Sequence, residues 1–141
     1  MAADPKIELL SKVQMFSSLN KRELGLIARS ADVVTVKPGT EIVTQGTPGH
    51  EFYLVVSGQA TVRRNGRKIA TLGPGQYFGE LALLDRGPRS ATVIAETEVE
   101  LAIISQREFL AVLNQVPAVA YKLLVSMASR LRDADTKAVS H

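Results

Sequence analysis

The sequence predicts a mainly β domain, a sandwich or barrel of short strands with helices before and after it. Three observations carry this expectation. From residue 33 to residue 105 the chain is a series of short segments rich in β-branched residues, separated by glycine and proline turn signals. Before residue 31 and after residue 105 the apolar residues recur at helical spacing instead. No repeat, low-complexity stretch or linker divides the 141 residues, enough for one domain with a real core.

The helical start spans residues 1–31. Ile7, Leu9, Leu10 and Val13 make a short amphipathic segment. Asn20 suits an N-cap, with Glu23 three residues on to reach back, and Leu24, Ile27 and Ala28 form the apolar stripe behind it. The β region, 32–105, reads as VVTV (33–36), EIVTQ (41–45), EFYLVVSG (51–58), QATVRR (59–64), RKIATL (67–72), ATVIAE (91–96) and VELAIIS (99–105). Pro38-Gly39 and Pro48-Gly49 suit type II turns, and Asn65-Gly66 a tight type I′ hairpin. In the last segment Val99, Leu101 and Ile103 alternate with Glu98, Glu100 and Ala102, the pattern of a half-buried strand. Residues 106–141 turn helical again. Ser105 is the expected N-cap of a first helix, and Pro117 opens a longer one whose Ala120, Leu124, Met127 and Leu131 form a seam for the barrel or a partner.

Composition narrows the chemistry. The chain is 45% hydrophobic and 22% charged, as expected of a soluble folded domain. It has no cysteine and only His50 and His141, which excludes disulfides and leaves too few ligands for a histidine-rich metal centre. The start, MAADPKIELL, lacks a signal peptide's basic flank and apolar run, and no apolar stretch is long enough to cross a membrane. A cytoplasmic location with no membrane contact is the expectation. Seventeen basic and 14 acidic residues leave a charge of +3, too mild to argue for nucleic acid. Arg63, Arg64, Arg67 and Lys68 cluster at the Asn65-Gly66 hairpin, as a solvated tip or a docking patch for an acidic partner.

The stretch with the most chemistry is 78–92, FGELALLDRGPRSAT. A short helix beginning near Gly79 and Glu80 would offer free backbone N–H groups to an anion. Gly79 lets a ligand approach the backbone, Arg89 supplies a planar fork suited to phosphate, and Ser90 adds a hydroxyl. Glu80 repels a phosphate but accepts hydrogen bonds from hydroxyls. The pair therefore reads a ligand with sugar and phosphate side by side. A solvated surface pair is the plain alternative. A catalytic Glu80 lacks a nucleophile or metal partner, so no enzyme activity is expected.

GELALL followed by PRSAT resembles the phosphate-binding cassette of the cyclic-nucleotide-binding domain family, which includes bacterial catabolite activators, regulatory subunits of cyclic-AMP-dependent kinases and nucleotide-gated channels. The resemblance extends to Phe16–Leu19, the glycines at 39, 46, 58, 73 and 79, and the two closing helices. It implies a double-stranded β-helix (jelly roll). It also implies that Arg89 binds the cyclic phosphate, Glu80 the ribose 2′-hydroxyl, and Ser90 the phosphate. Backbone amides around Gly79, Leu81 and Ala82 complete the cradle. The ligand implied is cyclic AMP rather than cyclic GMP, and the output a movement of the C-terminal helices.

Two departures follow. The family's transcription factors carry a helix-turn-helix after the long helix, whereas 24 residues (141 − 117) follow Pro117 here, so specific DNA binding is not expected. The adenine-contacting pair of the catabolite activator falls on Ala134-Asp135, where Asp135 could accept from the exocyclic amine. The expected partners are a protein or a fused effector domain, with the chain a monomer or a helix-mediated homodimer. The alternatives are a nucleotide-independent interaction module of the same fold, or a regulatory fragment of a larger transcription factor, transporter or enzyme.

Overall fold

A computed structural model describes residues 4–85 and 87–139, so His141 lies outside the described residues. The chain opens with helix α1 (Pro5–Ser11), a 3-10 turn (Gln14–Phe16) and helix α2 (Lys21–Arg29). Asp4 caps α1 by accepting from the Lys6 N–H. Asn20 and Glu23 form the expected capping box on α2, each accepting from the other's backbone N–H at 2.9 Å.

Eight strands follow: β1 (Asp32–Val36), β2 (Glu41–Val43), β3 (Glu51–Ser57), β4 (Ala60–Arg64), β5 (Arg67–Leu72), β6 (Tyr77–Phe78), β7 (Thr92–Ala95) and β8 (Val99–Ser105). They form two four-stranded antiparallel sheets, ordered β1-β8-β3-β6 and β2-β7-β4-β5. This is the jelly-roll arrangement, a sandwich with two cores. One core fills the space between the sheets, around Val55, Ala60, Val93 and Leu101. The other lies between the first sheet and the helices, around Phe16, Phe52, Ile104 and Phe109.

That second core corrects the reading of β8. Val99 and Leu101 face the inter-sheet core, but Ala102 and Ile104 are also buried, under the helices. The strand is central, paired on both edges, and covered on both faces. Its two-faced apolar character follows from that position. β6 has no counterpart among the predicted strands; two residues are too few to show a period.

The turns divide in the same way. Asn65 (φ 54°) and Gly66 (φ 80°) form the expected type I′ tip, and Gly39 takes φ 85° after Pro38. Pro48-Gly49 is not a type II turn: the left-handed glycine of that loop is Gly46 (φ 87°), and Pro48 bridges to Pro88. Helix α3 (Gln106–Gln115) begins at Ser105, whose hydroxyl accepts from the Glu108 N–H at 3.1 Å.

Helix α4 (Pro117–Val139) follows after the chain turns through 112°. Its buried stripe is Val119 and Leu123, not the seam at 120, 124, 127 and 131. Leu124 and Leu131 stand 65% and 70% exposed. The helix is rotated because polar side chains extend the stripe. Lys122 Nζ donates to Glu23 at 2.7 Å, and Ser126 and Arg130 each reach Gln14 at 3.5 Å. An apolar count misses a face completed by such contacts. Among the described residues, no single helix is long and apolar enough to cross a membrane.

Candidate functional site

Two arms of chain meet at one end of the sandwich. The first leaves β6 at Phe78. Gly79 takes φ 78°, which a side chain rarely adopts, and so redirects the chain into a 3-10 helix, Glu80–Leu83. The turn is held by the Ala82 N–H bonding to the Gly79 carbonyl at 3.0 Å and by Leu83, fully buried in the helix-side core. It is the short helix the sequence suggested, wound as a single 3-10 turn. Its first N–H groups have no carbonyl within the turn to bond to, as at any such start.

The second arm is residues 87–91, laid against the loop that follows β2. The Arg89 N–H donates to Thr47 and the Arg89 carbonyl accepts from Gly46, both at 2.8 Å. Gly49 donates to the Gly87 carbonyl at 3.2 Å. The backbone under Arg89 is thereby fixed before any ligand arrives.

The Arg89 side chain is held as firmly. Its Nη2 donates to the Glu51 carbonyl at 2.8 Å, and the guanidinium lies 5.5 Å from the centroid of the Tyr53 ring. Tyr53 stacks on Phe78, centroids 4.8 Å apart, and donates its hydroxyl to Glu51 at 2.9 Å. Burial first, then the Glu51 hydrogen bond, push the Tyr53 hydroxyl up to about 12. The ring thus stays neutral beneath the arginine. Two glycines make room: a Cβ on Gly79 would collide with the guanidinium, and one on Gly49 would lie 2.8 Å from Nε and 2.9 Å from Cζ. With one N–H spent on Glu51, the rest of the fork is available to an anion.

Between the arms and the second sheet lies a cavity of about 470 Å³. Val43, Val62 and Val93 form its apolar floor, and the cassette, including Gly79, Glu80, Ala82, Arg89 and Ser90, its polar rim. The size suits a small organic ligand. A positive fork and a carboxylate on one rim, above apolar walls, can hold an anionic group and a hydroxyl of a single molecule.

Five of the expected residues, Gly79, Glu80, Ala82, Arg89 and Ser90, are therefore brought together. The backbone of Leu81 lies in the same 3-10 turn. Asp135 is not brought there: it is exposed near the far end of α4 and does not line the cavity. Four contributors went unread, among them Tyr53, whose ring lies under Arg89. Gly49 was taken for a turn residue, Glu51 acts through its carbonyl, and Arg64 was counted with the hairpin tip although it lines the cavity. Only Arg64 carried a signal, since it follows Val62 at strand period. His50 is exposed and stands apart from the cavity lining.

The family model for the cyclic nucleotide-binding domain matches residues 33–116. The cyclic AMP receptor protein of Thermus thermophilus is 41% identical over 102 residues, 69% of this chain and 47% of that protein. A cAMP-dependent protein kinase regulatory subunit of Yarrowia lipolytica is 40% identical over 109 residues, 76% of this chain and 29% of that protein. The chain thus spans about half or less of these relatives' length. Among solved structures, the N-terminal domain of a transcriptional regulator from Streptomyces coelicolor superposes with a TM-score of 0.85 at 34% identity, covering 92% of this chain and 93% of that one. The catabolite activator protein of Thermus thermophilus gives 0.70 at 36% identity, with 88% and 61% covered.

Proposed function

The chain belongs to the cyclic nucleotide-binding domain family, and from that premise we propose that it is a sensor of cyclic AMP, in preference to cyclic GMP, performing no chemistry of its own. The observation that carries the proposal is the Arg89 guanidinium, pinned by Glu51, Tyr53, Gly49 and Gly79 on the rim that also bears Glu80. Arg89 takes the cyclic phosphate through its free N–H groups, with the amides after Gly79 and the Ser90 hydroxyl around it. Glu80 accepts from the ribose 2′-hydroxyl. The preference for cyclic AMP is supported by the relatives named as cyclic AMP receptor and cAMP-dependent kinase regulator.

Binding is passed on through α3 and α4. A ligand shifts such an equilibrium only if it binds the two positions of the helices with different affinity. In this structure α4 is fastened to the N-terminal helices by Lys122 and Glu23, away from the cavity. The nucleotide-bound position we propose brings its final turns, including Asp135, over the base. The exposed face of α4, with Tyr121 and Leu131 each 70% exposed, favours an output through contact with a protein partner, a fused effector or a second copy.

Calorimetric titration with cyclic AMP and cyclic GMP tests the reading. Binding is expected for both, tighter for cyclic AMP. Arg89→Ala should stay folded and lose about 2–5 kcal/mol of affinity. An Arg89→Ala protein binding as tightly as the parent would refute the site.

A further inference from the structure

Side chains alternate across β4, and its inward set is Ala60 and Val62. Their ladder partners on β7, Ala95 and Val93, belong to the same inter-sheet core. The next residue in that set is Arg64. The ladder to β7 stays regular as far as Arg63, while the pairing with β5 shifts register between Val62 and Arg63, and Arg64 lines the cavity where the sandwich opens. Arg64 is itself exposed, so it stands at the cavity's rim with its charge open to a ligand.

The side chain is also placed. Its Nε donates to the Ser90 carbonyl at 3.1 Å. The adjoining hairpin tip is clamped by a reciprocal pair: Gln45 Nε2 donates to Asn65 Oδ1 at 2.8 Å, and the Asn65 N–H donates to Gln45 Oε1 at 2.9 Å. Gln45 precedes Gly46, which bonds to the Arg89 carbonyl. Hairpin and cassette are therefore fastened to one turn, and Arg64 keeps its place relative to Arg89. The Ser90 tether joins it to the residue that follows Arg89. None of the ion pairs among the described residues involves Arg64 or Arg89.

The charges lining the cavity then matter. Among the described lining residues, Arg64 and Arg89 oppose Glu80 and Asp85, a formal sum of 2 − 2 = 0. Without Arg64 the described lining residues would carry a net charge of 1 − 2 = −1, which opposes the approach of a nucleotide phosphate. We propose that Arg64 is a second phosphate-reading cation of this site, acting from the rim and drawing the anionic phosphate in beside Arg89. The inference rests on the nucleotide reading above and adds a residue from outside the cassette.

An exposed rim charge acts chiefly on association rate and its salt dependence, a buried partner on dissociation. Arg64→Gln removes the charge but leaves an amide able to donate to Ser90. Stopped-flow association of cyclic AMP, across a salt series, is the measurement. The variant should associate about three- to tenfold more slowly at low salt, with the gap closing as salt rises. Its thermal midpoint should match the parent's. Association and salt dependence equal to the parent's would overturn the proposal. So would a loss seen only in dissociation or stability, since that marks a purely structural tether. In either case, loss of affinity in Arg89→Ala would leave the nucleotide reading standing. A parent that binds no cyclic nucleotide overturns both.

Discussion

Replacing Gly49 by alanine tests whether the arginine is held for function. The backbone of Gly49 lies outside the left-handed region, so alanine meets no conformational penalty there. Reduced freedom of the unfolded chain would even stabilise it slightly, by about 0.4–1 kcal/mol. What the methyl meets is Arg89: Nε at 2.8 Å, Cζ at 2.9 Å and Cδ at 3.2 Å. Carbon contacts settle near about 3.5 Å, so the guanidinium must retreat by roughly 0.6–0.7 Å. The retreat stretches the 2.8 Å bond from Nη2 to the Glu51 carbonyl and turns the fork away from the phosphate position. Turned away, the fork loses one hydrogen bond to the charged phosphate, worth about 1.5–3 kcal/mol, which sets the expected loss of cyclic AMP affinity at about ten- to a hundredfold. The site should weaken by more than the fold, whose strained Glu51 bond is partly offset by the stiffer unfolded chain. Calorimetric titration beside thermal unfolding checks this. A Gly49→Ala protein that binds as the parent does would refute the claim that Gly49 is small for the sake of Arg89.

Three further outcomes are expected. The parent should bind 2′-deoxy cyclic AMP about 1–3 kcal/mol more weakly than cyclic AMP, and Glu80→Ala should shrink that difference; equal binding of both ligands by the parent would remove the ribose role of Glu80. Lys122→Met should lower stability by about 1 kcal/mol, measured by denaturant unfolding, because Glu23 is nearly buried and Lys122 about one-third exposed. The Lys122 hydrogen bond, with that of the Asn20 N–H, holds the Glu23 carboxyl below its usual value of 4.5. This contribution is therefore full above about pH 4.5 and fades as pH falls through the lowered value; in Lys122→Met the acid-induced loss should be smaller. Finally, a chain ending at Ser126 should release cyclic AMP faster with little change in association, and in the parent chain amide exchange in residues 127–137 should slow on adding nucleotide. An unchanged off-rate with ligand-independent exchange would mean the tail is no lid.

Much of the fold was legible because its signals are local. Asn20 with Glu23, Ser105 before Glu108, and Asn65-Gly66 each specify their structure within four residues, and all three appear as expected. The strands were read from β-branched runs, and β5 and β8 match to the residue. Misreadings occurred where the deciding partner is distant. β8 looked half-buried because one of its faces is covered by helices the strand itself does not announce. The α4 seam was displaced because Lys122, Ser126 and Arg130 find polar partners about a hundred residues earlier.

The site divides along the same line. The sequence by itself determined the cassette: a glycine able to take positive φ, an acid beside it, an arginine nine residues on (89 − 80), all within one short stretch. Only the tertiary structure decided where that arginine points. Its direction depends on the Glu51 carbonyl, the Tyr53 ring and the empty space at Gly49, none of which has a spacing to read. A carbonyl is offered by every residue, and the absence of a methyl shows only once the group that fills its place has been brought there. Turns and caps are chosen by neighbours along the chain, whereas a ligand site is chosen by neighbours in space, and for these residues the two sets differ.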